Sequence, residues 1–266
     1  MYQEHIDFEI KPIFSPSMEV CKDFVRVQIS RFSSEEQKKI EYYKNLKNFD
    51  FNSSGDKVSL SGLADMQKWI LYANLDKAYF STWYMENNAF AFAAYIKEEM
   101  VGFISGALSG NNMFTRSLYV LPQYQGCGVG SHLLETAERA ASFIVSNMEL
   151  FSLDGADGFY NAHNYKNTLV QGRVMKIKNL PKTETGVVPV FGWNNVLQAR
   201  LNIKVNINLF DCKYQPIFVY VNKDKKIDGL AILYSNGKDF IKFTKKGGDV
   251  AKQHKLELLD ALSNVR

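Results

Sequence analysis

From Leu118 to Ser131 the chain reads Leu-Tyr-Val-Leu-Pro-Gln-Tyr-Gln-Gly-Cys-Gly-Val-Gly-Ser. This is a short apolar strand, a proline that ends it, and a glycine-rich turn that enters a helix. Leu133, Leu134, Ala137, Ala141 and Ile144 follow at three- and four-residue spacing, with Glu135, Glu138 and Arg139 on the other side. The start of a helix leaves backbone N–H groups without intrahelical partners and carries the positive end of the dipole, so it attracts an anion. Glycines at 126, 128 and 130 remove the Cβ atoms that would hold a phosphate away and permit the backbone angles of a phosphate-cradling turn. The stretch therefore predicts an α/β protein of the α+β type with a pyrophosphate site at this turn. A glycine turn that serves tight packing alone is the competing explanation.

The frame around the glycines narrows the choice. Val120 and Pro122 stand upstream, and Gln125, Gly128 and Gly130 follow in register. The run resembles motif A of the GNAT superfamily of N-acetyltransferases: a hydrophobic strand, Val-x-Pro, then Gln/Arg-x-x-Gly-x-Gly/Ala. The resemblance implies a mixed, largely antiparallel central sheet flanked by helices. It also implies that acetyl-CoA is the acyl donor, its pyrophosphate on Gln125, Gly126, Cys127, Gly128, Val129, Gly130 and Ser131 and its pantetheine arm along Leu118, Tyr119 and Val120. Ala156-Asp157-Gly158-Phe159-Tyr160-Asn161-Ala162-His163-Asn164-Tyr165 is similar to a second family segment, Ala-x-x-Phe-Tyr-x-x-x-Gly-Phe. Asn164 stands for the glycine there, and asparagine is the residue that best replaces glycine in a left-handed backbone. The family's asparagine near the start of this segment has no match, since Leu153 occupies its position.

The resemblance implies direct attack of an amine on the thioester, with a backbone N–H at Val120 or Leu121 polarising the carbonyl. It nominates Tyr160 as the acid that protonates the leaving sulfur. A tyrosine on an apolar helix face is equally a core residue, and that alternative stays open. No base is identifiable: Glu98 and Glu99 fall in a hairpin turn, while His132 and His163 fit structural roles. Water relays serve as bases in such sites.

Other nucleotide folds use similar glycines. A dinucleotide site needs Gly-x-Gly-x-x-Gly directly after its strand, whereas Pro122 to Gln125 intervene here. Gly126 to Gly130 also looks like the turn of S-adenosylmethionine methyltransferases, with Asp154 as a ribose ligand, although the first strand of those enzymes lacks the proline. A third alternative is a CoA-binding sensor or scaffold that keeps the turn without transfer activity.

Further along, Phe90–Ile96, a turn at Lys97-Glu98-Glu99 and Val101–Leu108 read as a hairpin, with Met113–Leu121 as the strand carrying the site. Upstream, Ile6, Phe8 and Ile10 alternate as a first strand. Helical spacing follows over Ser17–Phe32, Ser33–Tyr43 and Ser61–Ala78, with a polar loop at Asn48–Asp56. The glycine-turn helix is expected to run to about Asn147, followed by strands Met148–Leu153 and Thr168–Ile177. Residues 1–178 are thus expected to form a GNAT-like domain. Across a linker near Pro181, residues 187–266 form a smaller lobe whose Ile217–Tyr234 segment echoes the earlier hairpin, Gly229 standing for Gly102. An incomplete second GNAT-like half and an unrelated hairpin plus helix both fit.

Charge also divides the chain, at a point within the first part. Residues 1–165 carry 14 Lys/Arg against 20 Asp/Glu, a net of −6, and residues 166–266 carry 18 against 8, a net of +10. A basic part of this kind fits an acidic partner, the CoA phosphates or nucleic acid, but the lysines are scattered and lack a nucleic-acid-binding motif, so a solvated face is the simpler reading. Cys21, Cys127 and Cys212 have neither disulfide-framework nor metal spacing, so no metal is expected. The longest apolar run, Ala89–Ile96, cannot span a bilayer, and the first residues lack a signal-peptide pattern. The expectation is a soluble cytoplasmic enzyme with an amine acceptor as its other substrate and no membrane partner.

Overall fold

The computed structural model describes residues 6–45, 60–85, 89–109, 112–153, 155–170, 173–181, 185–190, 216–224, 226–234, 238–243 and 248–263. The helices are α1 (Met18–Ile29), α2 (Ser34–Asn45), α3 (Leu60–Ala73), α4 (Leu75–Met85), α5 (Val129–Ser142), α6 (Asp157–Ala162) and α7 (Gly248–Ser263). The first sheet has seven strands, β1 (Glu9–Pro12), β2 (Ala89–Ile96), β3 (Glu99–Ser109), β4 (Asn112–Val120), β5 (Asn147–Leu150), β6 (Lys166–Val170) and β7 (Arg173–Asn179), in the order β1-β2-β3-β4-β5-β7-β6. The second sheet comprises β8 (Gly186–Pro189), β9 (Ile217–Val221), β10 (Ile227–Leu233) and β11 (Asp239–Phe243), in the order β11-β10-β9-β8. Among the described strands only β4 and β5 pair in parallel, and α5 makes the crossover between them. This mixed, largely antiparallel architecture is the expected one. It is not the parallel doubly wound sheet that a dinucleotide site of the Gly-x-Gly-x-x-Gly type uses.

Local chemistry sets the elements. Ala89 to Ala94 of β2 are buried on both faces, so the strand reads as a continuous apolar run. The Ser17 side chain caps α1 by accepting from the Val20 N–H, and Ser33 and Glu36 cap α2 reciprocally. Phe103 of β3 stacks on Phe24 of α1 with ring centroids 4.5 Å apart, whereas a Cβ at Gly102, the preceding residue, would lie 3.1 Å from Leu133 of α5. Helices α1 and α4 therefore cover one face of the sheet and α5 the other. One described core runs from this lobe into the second sheet. Ile217, Val219 and Val221 of β9 join it, while the alternate Phe218 and Tyr220 pack with Leu258 and Leu262 of α7.

Four expectations about boundaries need correction. The helix read over Ser61–Ala78 is two, because Asn74 donates its side-chain amide to the Ile70 carbonyl, ends α3 and starts α4. Helix then continues to Met85. Thr168–Ile177 is a hairpin, β6 and β7, with two residues between its strands. Helix α5 stops at Ser142, whose hydroxyl turns back to the Arg139 carbonyl, and β5 spans Asn147–Leu150 rather than Met148–Leu153. The Asn48–Asp56 loop, Asp154 and Cys212 lie outside the described residues.

The two sheets share a feature of register. In β3, Val101 is the extra residue of a bulge, because Ala94 pairs with Gly102 and Tyr95 with Met100. In β10, Asp228 is extra in the same way, because Tyr220 pairs with Gly229 and Val221 with Ile227. Each bulge thus immediately precedes the glycine that the sequence aligns. Among the described residues no helix is long and apolar enough to cross a membrane, and no group of three His, Cys, Asp or Glu side chains could hold a metal ion.

Candidate active site

The site begins where β4 parts from β5. The two strands pair only from Asn112–Thr115 to Asn147–Leu150, a closed end tied by Asn112 donating to Glu149 (2.6 Å) and Asn147 donating to Asn112 (3.2 Å). Arg116 is then a bulge, since Ser105 pairs with Ser117 and Gly106 with Thr115. Beyond it, Ser117 to Val120 have β3 on one side and a wedge-shaped opening on the other. The opening is a cleft of about 650 Å³ that leads to the glycine turn. Leu118, Tyr119 and Val120 form one wall, Leu153, Gly155, Ala156, Phe159 and Tyr160 the opposite one, and Val27, Ser30 and Arg31 the rim above.

The turn is built as an open cradle. Pro122–Tyr124 is one 3-10 turn, and the Gln125 side-chain amide folds back to donate to the Val120 carbonyl at 3.0 Å. Gly126 and Gly128 take φ of 77° and 86°, where a side chain is strained. A Cβ at Gly128 would meet nothing nearer than the His132 ring at 3.5 Å, and one at Gly130 nothing nearer than Phe159 and Val120 at 3.6 Å. Packing therefore does not demand these glycines; backbone conformation and open space beside the turn do. The first intrahelical hydrogen bond runs from the His132 N–H to the Gly128 carbonyl, which leaves the amides of Val129, Gly130 and Ser131 ahead of the helical ladder. No carboxylate is among the described residues lining the cleft. An anion at this helix start meets donors and no opposing charge.

Of the residues expected to hold the donor, Leu118, Tyr119, Val120, Gln125, Gly126, Gly128, Gly130 and Ser131 line the cleft. Val129 turns its side chain into the core and is fully buried. Cys127 is half-buried in the turn but is not among the cleft's lining residues, and its Sγ lies 3.7 Å from the Gln125 carbonyl. Tyr160 is buried in the cleft wall, edge-on to Phe159 and Tyr165, and burial, with the nearby Tyr119, pushes its phenol up to about 12. Asn164 has φ 65°, the left-handed backbone expected of it. Both histidines are engaged structurally. The His132 and His163 Nδ1 atoms each lie 2.9 Å from a carbonyl oxygen, of Gly128 and Phe159, so each carries its hydrogen there. Glu99 pairs with Arg26 at 3.1 Å, outside the cleft.

Three groups that sequence reasoning did not single out shape the site. Arg31 reaches the cleft from the end of α1, its guanidinium 5.4 Å from the Tyr119 ring centre and donating to the Tyr72 hydroxyl at 3.0 Å. Lys176 is buried, and its ammonium donates to Asn161 (3.0 Å), Asn167 (2.8 Å) and Asp157 (3.1 Å), which fixes α6 and with it Tyr160 against the β6–β7 hairpin. Gln28 and Tyr79 link α1 and α4 to β4 through buried hydrogen bonds. A second cavity of about 260 Å³ opens on that face of the sheet, lined by Phe24, Gln28, Tyr79, Phe90, Arg116 and Ser117 among others.

Residues 87–167, which hold the wedge, the turn and α6, match the family model of the acetyltransferase (GNAT) domain, and the chain carries a domain of that family. The fold is similar to that of PaiA N-acetyltransferase from Thermoplasma acidophilum, solved in complex with coenzyme A (16% identity, TM-score 0.45, 65% of this chain and 99% of that one). It is similar as well to PH1933 from Pyrococcus horikoshii OT3 (16%, 0.46, 66% and 99%) and to the ribosomal-protein-S18-alanine N-acetyltransferase from Escherichia coli (12%, 0.41, 66% and 96%). No curated protein matches the sequence.

Proposed function

We propose that this protein transfers an acetyl group from acetyl-CoA to an amine. One observation carries the reading: the gap between β4 and β5 runs straight into a glycine turn where packing does not require glycine at 128 or 130 and where the first amides of the helix precede the ladder. A ligand laid there has an anionic end on Gln125 to Ser131 and an arm along Leu118 to Val120. The acyl end then reaches the part of the cleft lined by Tyr119 and Tyr160. The 260 Å³ cavity on the far side of β4 supplies space for the acceptor.

In the reaction the neutral amine attacks the thioester carbon. The C–N bond forms, the C–S bond breaks with its electron pair on sulfur, and the proton that nitrogen must shed ends on sulfur. A backbone N–H near Val120 or Leu121 holds the carbonyl oxygen. Tyr160 is neutral at physiological pH, so it passes its proton toward sulfur and is replenished from the nitrogen side. The second lobe, residues 187–266, is a degenerate half of the same design; the matching bulges at Val101 and Asp228 support this, and it has no glycine turn of the motif A type.

The test is release of free thiol from acetyl-CoA in the presence of a panel of small amines, lysine peptides and peptide N-termini. Amine-dependent thiol release that Gly128→Asp abolishes is the expected result. Tight CoA binding with no turnover on any amine would instead support a sensor.

A further inference from the structure

The hydrogen bonds beside the cleft have a fixed direction. The Tyr79 hydroxyl lies 2.6 Å from Gln28 Oε1, an acceptor-only atom, so Tyr79 donates its one hydrogen there. The Ser117 hydroxyl, 3.1 Å from Tyr79, must then be the donor of that pair. Because the Gln28 oxygen is held by Tyr79, its Nε2 is the end that faces Tyr119, and it donates to the Tyr119 hydroxyl at 3.4 Å. The chain Ser117, Tyr79, Gln28, Tyr119 therefore fills an acceptor position on Tyr119 and leaves the Tyr119 O–H hydrogen to point elsewhere. Tyr119 lines the cleft. The charged or titratable neighbours acting on it are Arg31 at the end of α1 and Tyr72 of α3, with Phe103 of β3 against its ring and Tyr160 of α6 lining the same cleft. Tyr72 accepts from Arg31.

We infer that Tyr119 is a second catalytic hydrogen-bond donor, aimed at the sulfur of the acyl donor and set in that role by Gln28 and Tyr79. This rests on the reading of the cleft as an acetyl-CoA site. The chemistry asks for such a group. The sulfur that takes up the C–S electron pair has more than one lone pair, and Tyr160 engages only one of them before the proton from nitrogen arrives. Burial raises the Tyr119 phenol as well, which keeps it a donor at neutral pH. Tyr119 transfers no proton in this role. It donates a hydrogen bond that strengthens as the C–S pair collapses onto sulfur, and the proton balance given above is unchanged. Gln28 and Tyr79, which do not face the sulfur, are positioning residues.

The probe is CoA itself, which needs no acceptor. Its thiol is titrated on the protein by far-ultraviolet thiolate absorbance, as a difference against the complex with desulfo-CoA so that protein tyrosines cancel. The wild-type protein should hold the bound thiol below its value in free CoA. Tyr119→Phe should raise the apparent pKa of the bound thiol by about 1–2, and above that pKa its calorimetric affinity for CoA should fall more than its affinity for desulfo-CoA. Gln28→Leu, which keeps Tyr119 but removes its partner, should give a smaller rise in the same direction; a merely structural role would move the affinity for both ligands equally. An unmoved thiol titration in Tyr119→Phe with CoA binding intact overturns this inference alone. Failure of the wild-type protein to bind CoA or desulfo-CoA overturns it together with the acetyltransferase reading.

Discussion

The strands β1 to β4 with α5 and the strands β8 to β11 with α7 share a strand order and part company at their last connection. Both are antiparallel four-strand ribbons in sequence order, both carry a bulge one residue before a glycine, and both lay a helix across one face. Between β4 and α5 there are eight residues, Leu121 to Gly128, and between β11 and α7 only four. The longer connection has room for a 3-10 turn and two glycines, and β4 has β5 beside it to splay from. In the second sheet β11 is an edge among the described strands. The comparison teaches that the strand-and-helix core supplies a scaffold, while binding requires two local additions, a parted strand pair and an open helix start.

The largest expected effect separates these roles. Gly128→Asp, strained at φ 86° and negative beside the phosphates, should lower CoA affinity more than 100-fold in calorimetry, on the order of 3 kcal/mol. Leu258→Ala in the second lobe removes a fully buried side chain and should cost about 2–5 kcal/mol in denaturant unfolding with CoA affinity unchanged. Equal loss of affinity in both variants would break the division. A pair of glycines sharpens it. Gly106→Ala places a Cβ 2.0 Å from the Phe114 carbonyl oxygen and should cost about 1–3 kcal/mol or more. Gly130→Ala meets only ordinary contacts and should stay within about 0.5 kcal/mol of wild type, so weaker CoA binding there reports the ligand and not the fold.

Smaller effects concern catalysis and the first helix. Tyr160→Phe should lower turnover roughly 10²-fold with acetyl-CoA affinity nearly intact; unchanged turnover removes Tyr160 from the mechanism. Because its phenol sits at about 12, turnover should show no fall through pH 10, the ordinary tyrosine value. Folding stability has the opposite sensitivity. Between pH 10 and 12 the unfolded chain loses a proton that folded Tyr160 keeps, so this group's contribution shrinks as pH rises. Ser17→Ala, which deletes the α1 cap, should cost about 1 kcal/mol and leave binding untouched.

What could be read from the sequence was local. The glycine turn, the β2–β3 hairpin and the left-handed Asn164 are each set by a few adjacent residues, and each appears where expected. The β6–β7 hairpin was hidden because apolar residues run through both of its strands and read as one. The break at Asn74 was masked in the same way by continuous helical spacing. The cleft's polar side was not legible. Gln28 and Tyr79 are 91 and 38 residues from the β4 positions they contact, and Lys176 reaches α6 from a different strand, so their roles exist only after the sheet is assembled.

The most direct measurement is thermal unfolding of the protein with acetyl-CoA, CoA, S-adenosylmethionine and NAD added separately. At about 100 times its dissociation constant a ligand of the folded state stabilises it by roughly 2.7 kcal/mol, a shift well within detection. Stabilisation by acetyl-CoA and CoA alone, lost in Gly128→Asp, is the predicted result. Stabilisation by S-adenosylmethionine or NAD, or by none of the four, would contradict the assignment of the wedge and its glycine turn to an acyl-CoA donor.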